Sequence, residues 1–296
     1  VSRIFLLAFI WGWSFLFIKV AVEGMTPSAV ATARITLGAL VMYLALRARR
    51  TPLPRGRVIW MHFAFQGIVG SVLPFTLLAW GEQYVSTALT SVLNASTPLF
   101  AVALSALFLA ERLRRAQFIG IGLGFLGVAI AAGVGASDLS TSSVGGALAA
   151  IGAGACYAVS FIYVRRHLGS IPSAVAAAGQ LIAGAVFIAP IGIYTSLRSG
   201  IHLAPHRVLA VLILGLVGTG YAYLLNYRSI NAVGATRASV VTQLIPVVAV
   251  TIGVVFLGEP FRWRLVIGGG LTLLGIAVLH DRVRAGGSRL SNVAPR

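Results

Sequence analysis

Apolar runs of about 20 residues follow one another along the chain, with short polar breaks between them, and that length crosses a bilayer as a helix. Runs and breaks place ten helices at about 3–22, 28–47, 58–80, 86–109, 116–134, 145–165, 172–195, 207–228, 235–257 and 263–280. Turn chemistry marks several starts: Thr26-Pro27-Ser28, Ile171-Pro172-Ser173, Pro205 and Glu259-Pro260. Proline suits a first helical turn, where its missing N–H would lack an intrahelical partner anyway. The first run, from Arg3 to about Val22, has no clear small-residue cleavage site and is expected to be a retained helix. The pattern predicts an all-α polytopic membrane protein.

Composition agrees. The 296 residues are 58% hydrophobic and 10% charged, with a mean hydropathy of +0.94. A water-soluble domain carries about a quarter charged residues. The net charge is +17, but the arginines cluster between apolar runs with few aromatics among them. That distribution fits membrane topology and argues against a nucleic-acid partner. With the spans above, 17 Lys and Arg residues fall on the N-terminal side and 4 on the other, while Lys19 and Arg34 lie inside spans in the outer third of the membrane. Positive residues stay cytoplasmic, so both termini are expected inside, with a bacterial plasma (inner) membrane as the location. The single Cys156 allows no intrachain disulfide, and no feature demands an oligomer.

The chain repeats itself. At a constant shift of 148, Gly67/Gly215, Gly70/Gly218, Ser91/Ser239, Pro98/Pro246, Phe108/Phe256, Glu111/Glu259, Gly120/Gly268 and Gly127/Gly275 coincide. "TPSAV" at 26–30 parallels "IPSAV" at 171–175. The expected organisation is a first five-helix unit over 1–138, a second over 139–285 and a cytoplasmic tail over 286–296. Five is odd, so the second unit enters the membrane from the opposite side. Inverted repeats of this kind are a recurring design of secondary transporters, giving two related ways to close around one site. Glu111 and Glu259 would then hold equivalent places on opposite sides. A local role is expected for Glu111, favouring the next helix's N-terminus or pairing with nearby Arg, with a gate ion pair as the alternative.

Several stretches resemble the drug/metabolite transporter superfamily, in its ten-helix branch with two EamA domains. They are "WGWSFLFIKVAVEGMTP" (11–27), "ARITLGAL" (33–40), "STPLFAVALSALFLAERLRRAQFIGIGLGFLGV" (96–128) and "IPVVAVTIGVVFLGEPF" (245–261). Within that branch the chain looks most like bacterial amino acid exporters of the YddG kind. The resemblance implies helices around a central cavity, inward- and outward-open states, and small-molecule substrates among amino acids, drugs and other metabolites. Gln180 stands near the second-repeat position of Arg34, so any role of Arg34 belongs to one half.

Candidate substrate contacts follow from the repeat. Pro98 and Pro246 sit mid-span and free the carbonyls of Asn94 and Thr242, which need partners or a cavity. Thr87, Ser91, Asn94 and Pro98 share one helical stripe; Ala235, Ser239, Thr242 and Pro246 form its counterpart, with Gln243 beside it. These residues are a candidate midplane wall and kink pair, set against ordinary polar helix packing. Trp13, Phe75, Tyr157 and Tyr221 could line a cavity for apolar or aromatic side chains, or simply pack. Lys19 and Arg34 could attract a carboxylate; snorkelling alone accounts for Lys19. "GLGFLG" (122–127) matches a dinucleotide fingerprint formally but lies inside a span, where its glycines let helices approach.

The five histidines show no metal-ligand spacing, and neither paired intramembrane carboxylates nor a nucleophile–base pair is present. No cofactor or metal is expected. The sequence therefore favours a secondary transporter over a membrane-embedded enzyme or a passive channel: an exporter of amino acids, neutral with apolar or aromatic side chains, with a multidrug or other metabolite exporter as the alternative. All six acids fall at or beyond predicted span ends, which predicts uniport or exchange without a central proton site.

Overall fold

A computed structural model describes residues 2–108, 113–133, 141–200, 204–233 and 240–287. Its helices are α1 (Ser2–Val22), α2 (Pro27–Ala48), α3 (Arg57–Gly81), α4 (Thr87–Leu107), α5 (Arg115–Ala132), α6 (Thr141–Leu168), α7 (Ser173–Ser199), α8 (Pro205–Asn226), α9 (Val240–Phe256) and α10 (Trp263–Gly287). Among the described residues, eight helices are long and apolar enough to cross a membrane, and two shorter apolar stretches lie in α9 and α10. Large apolar side chains such as Phe5, Phe118, Phe187 and Leu197 are exposed on the outside. So much apolar surface suits hydrocarbon as the surrounding medium, not water. The chain is an all-α polytopic membrane protein.

Local chemistry explains the helix starts. Thr26 caps α2 by accepting from Ala29 N, with Pro27 in the first turn. Ser86 caps α4 by accepting from Leu89 N at 3.1 Å. Gly133 ends α5 in the left-handed conformation (φ 77°), a common helix terminator.

The two halves meet most closely where α5 packs against α10. A Cβ on Gly120 would lie 2.8 Å from the Gly275 carbonyl oxygen, and one on Gly127 would lie 2.5 Å from that of Gly268. A shift of 148 turns the first contact into the second. The pairing is isologous, as across a two-fold axis. Rising numbers on α5 meet falling numbers on α10, so the helices run antiparallel and that axis crosses them, in the membrane plane. This is the geometry of inverted repeats. It recurs elsewhere: a Cβ on Gly70 would lie 2.6 Å from Ser160 Oγ, and one on Gly218 would lie 2.8 Å from Ser14 Oγ. The glycines of "GLGFLG" thus serve helix approach, with the exception of Gly122, whose Cβ would meet nothing within 4 Å.

Matched irregularities bracket the interior. Ile68–Val72 in α3 and Ile213–Tyr221 in α8 both widen to π-helical turns. Such turns are rare and concentrate at functional sites. The repeat places them over one another and puts Ser71 opposite Thr219.

Candidate functional site

The widened turns of α3 and α8 each present a hydroxyl to a long polar side chain from α2 or α7. Arg34 on α2 is 6% exposed; its Nε donates to Thr219 Oγ1 at 2.9 Å. Thr219 in turn donates to Leu214 O, five residues back. In the repeat-related contact Gln180 Nε2 on α7 donates to Ser71 Oγ at 2.8 Å and to Gly70 O at 3.2 Å. Gln66 Nε2 bridges Ser160 Oγ (2.5 Å) and Gln180 Oε1 (3.4 Å). Arg34–Thr219 and Gln180–Ser71 are therefore one interaction built twice, charged in the first copy and neutral in the second.

The charge is the informative difference. The Arg34 guanidinium carbon stands 3.8 Å from the Phe75 ring centroid, and the Tyr157 ring meets Phe75 edge-on at 6.5 Å. Tyr157 and Tyr223 lie near enough to Arg34 to interact electrostatically, and Tyr223 also lies beside Ser71 and Gln180. Among the described residues the ion pair is Arg207–Glu23, at 3.9 Å, and Arg34 has no carboxylate within 4.0 Å. A buried cation without an acid is costly; an aromatic face and one hydroxyl offset only part of that cost. The arrangement can accept an anion, above all a planar carboxylate matching the guanidinium fork.

The other predicted residues fall in several places. Trp13 packs against Phe9, Phe17 and Phe256, and its buried indole Nε1 has no hydrogen-bond partner. Helix α4 breaks at Ala95-Ser96, just before Pro98. The carbonyl that Pro98 frees, that of Asn94, accepts from Thr97 Oγ1 at 2.8 Å, while Ser96 Oγ donates to Leu93 O. Asn94 Oδ1 is buried without a partner. Ser91 is buried and spends its hydroxyl on Ala88 O. Pro246 lies inside a continuous α9, so only the first of the two prolines coincides with a break. Thr242 and Gln243 are half-buried on α9. Gly154 of α6 lies against the α4 break, and Tyr157 on the same helix reaches Phe75, so α6 links the two regions.

Tyr221 is 42% exposed, on the side of Leu216 and Val217; the α8 aromatic beside Arg34 is Tyr223. Lys19 Nζ donates to the carbonyls of Glu82 and Val85, tying α1 to the C-terminal end of α3. An apolar groove of about 440 Å³, lined by Tyr43, Trp60, Ile182 and Val186 among others, opens on α2, α3 and α7, apart from this polar track.

Glu259 has a different partner from the local ones expected of its counterpart. Its Oε1 accepts from Thr87 N at 2.6 Å and its Oε2 from Ala88 N at 3.0 Å. The carboxylate thus caps α4, a helix of the other repeat, where free N–H groups and the helix dipole favour negative charge. Glu111 lies outside the described residues, as do Ala235 and Ser239.

The sequence pattern singles out Arg34, Phe75 and Tyr157, which the fold brings together. It does not single out Gln66, Ser71, Ser160, Thr219 or Tyr223, which lie in the same polar track. The shift of 148 that pairs Ser71 with Thr219 was the available signal.

Apolar helices long enough to cross a membrane surround this buried polar track. The EamA-like transporter family matches residues 1–133 and again 144–280, and the chain belongs to that family. Transport, rather than catalysis, is its activity. It is 31% identical to an uncharacterized transporter of Archaeoglobus fulgidus, over 91% of this chain and 94% of that one. It is 27% identical to a probable terminal-alkyne amino-acid exporter of Streptantibioticus cattleyicolor, over 92% and 90%. A crystal structure of a protein with 22% sequence identity superposes with a TM-score of 0.68, covering 96% of this chain and 97% of that one, which shows the shared fold.

Proposed function

We propose that this chain is a secondary carrier exporting amino acids, neutral ones with apolar or aromatic side chains, across the bacterial plasma membrane by alternating access. The observation that carries the reading is Arg34, a buried guanidinium without an acid partner, stacked on Phe75 beside Tyr157 and Tyr223. The substrate carboxylate takes the open side of the guanidinium. Phe75 and Tyr157 supply apolar surface, with Trp13, Asn94, Thr242 and Gln243 as the far wall. The Streptantibioticus relative, named for an amino-acid substrate, supports the class. The repeats over 1–138 and 139–285 act as the two rocking halves, with both termini and the tail over 286–296 cytoplasmic.

The test is a counterflow screen of the amino acids with purified protein in liposomes. Saturable counterflow is expected, with neutral apolar or aromatic amino acids competing better than Asp or Lys. Charged amino acids as the strongest competitors would overturn the side-chain assignment. Non-saturable flux would overturn the carrier reading.

A further inference from the structure

Glu82 follows the last turn of α3, at the end that faces outward with both termini cytoplasmic, where a carboxylate would normally meet water. Instead it is 0% exposed. Its Oε2 receives a long bond from Thr87 Oγ1 (3.4 Å), and its Oε1 is buried without a partner. The neighbouring cation forms no ion pair with it: two of the three Lys19 N–H donors go to the backbone carbonyls of Glu82 itself and of Val85. The second acid, Glu259, is committed to the Thr87 and Ala88 N–H groups. From α6, Gly146 and Ala149 pack on the adjacent Gly81, bringing no titratable group. From α2, Arg34 acts only at a distance. Glu82 thus lies at a span end, as its place in the sequence implies, and yet out of water.

We propose that Glu82 is a proton-binding site: it carries a proton while the outer ends of α1, α3, α4 and the α9–α10 turn are closed together, and releases it to the external solution when they part. A neutral carboxyl can be buried with one oxygen lacking a partner at far lower cost than an anion. Burial foremost holds this carboxyl well above the usual carboxylate range; Lys19 opposes that shift, Glu259 adds to it, and Thr87 and Arg34 oppose it. The sign follows. Closure takes up a proton, so its stabilisation is complete below the ordinary Glu value of about 4.3 and is lost as pH rises through the raised closed-state value. External acid therefore holds the outer side shut, and external alkali lets it open. The inference rests on the alternating-access reading with both termini cytoplasmic, but not on the identity of the substrate.

The experiment needs no substrate. Val85, 7% exposed beside Glu82, is replaced by Cys in a Cys156→Ala background, and Gln83→Cys, at an exposed position, serves as the reference for thiol reactivity. Purified protein in liposomes is labelled with a membrane-impermeant maleimide at external pH between about 5.5 and 8, a range above the ordinary Glu value. The Val85→Cys to Gln83→Cys labelling ratio is expected to rise several-fold with pH. Glu82→Gln, which keeps the shape and stays neutral, is expected to give a low, flat ratio with unchanged thermal stability. A pH-independent ratio without that substitution, the same pH profile in Glu82→Gln, or high labelling of Glu82→Gln at every pH would each overturn the proposal. Amino-acid counterflow failing while the labelling behaves as expected would count against the substrate assignment alone.

Discussion

Removing the Glu259 carboxylate should loosen the first turn of α4. In the structure it accepts two N–H groups, from Thr87 at 2.6 Å and Ala88 at 3.0 Å, at the positive end of the helix. Hydrogen bonds to a charged group contribute about 1.5–3 kcal/mol each, and water can replace part of this once the turn opens. The net loss for Glu259→Ala should be about 2–3 kcal/mol, a roughly 30- to 150-fold increase in the open fraction. Amide hydrogen exchange reads that fraction directly. A peptide spanning residues 82–93 should exchange faster by about that factor at Thr87 and Ala88, while α5 and α10 keep their rates. Glu259→Gln retains one acceptor oxygen and should fall between the two. Unchanged exchange in Glu259→Ala, or equal acceleration in the Gln and Ala variants, would refute the cap as the closing contact.

Gly127→Val should destabilise the fold by about 2 kcal/mol or more, because its Cβ would lie 2.5 Å from the Gly268 carbonyl oxygen and from Thr272 N, neither the end of a flexible side chain; Gly122→Ala, with open space around it, should leave the melting temperature equal or higher. Asn94→Ala and Gln243→Ala should cut transport while leaving folding intact, as followed by counterflow and thermal unfolding; normal affinity and rate in both would remove the substrate from α4 and α9. Thr219→Val should strand the Arg34 Nε–H and weaken substrate binding several-fold, whereas Ser71→Ala, on the neutral side, should do less.

The fold was largely legible because bilayer crossing is a property of run length, and the inversion follows from an odd helix count with a constant shift. That the α5 glycines let a helix approach was legible too, since glycines have few other uses in apolar helices; that the partner is α10 was not. Four other features were not. Hydropathy places Glu82 at a span end but cannot say that α1, α4 and the α9–α10 turn fold over it. Tyr221 and Tyr223 differ by two residues, and which one faces Arg34 depends on the π-helical turns that rotate α8, a feature with no hydropathy signature. The role of Glu259 involves α4 of the opposite repeat, whereas neighbours along the chain suggest only local partners. The two prolines look equivalent in the alignment, yet α4 breaks near Pro98 while α9 runs through Pro246, a difference tied to Ser96 and Thr97, whose hydroxyls satisfy Leu93 O and Asn94 O.

The most direct test of the carboxylate site is a cycle of two changes, measured as apparent affinity in counterflow competition. One change is Arg34→Gln; the other replaces a transported amino acid by its carboxamide. If the carboxylate binds Arg34, each change alone should weaken competition by about 2–3 kcal/mol, roughly 30- to 150-fold, and the second should add little once the first is made. Full additivity of the two losses would contradict the account, because the carboxylate would then be recognised elsewhere.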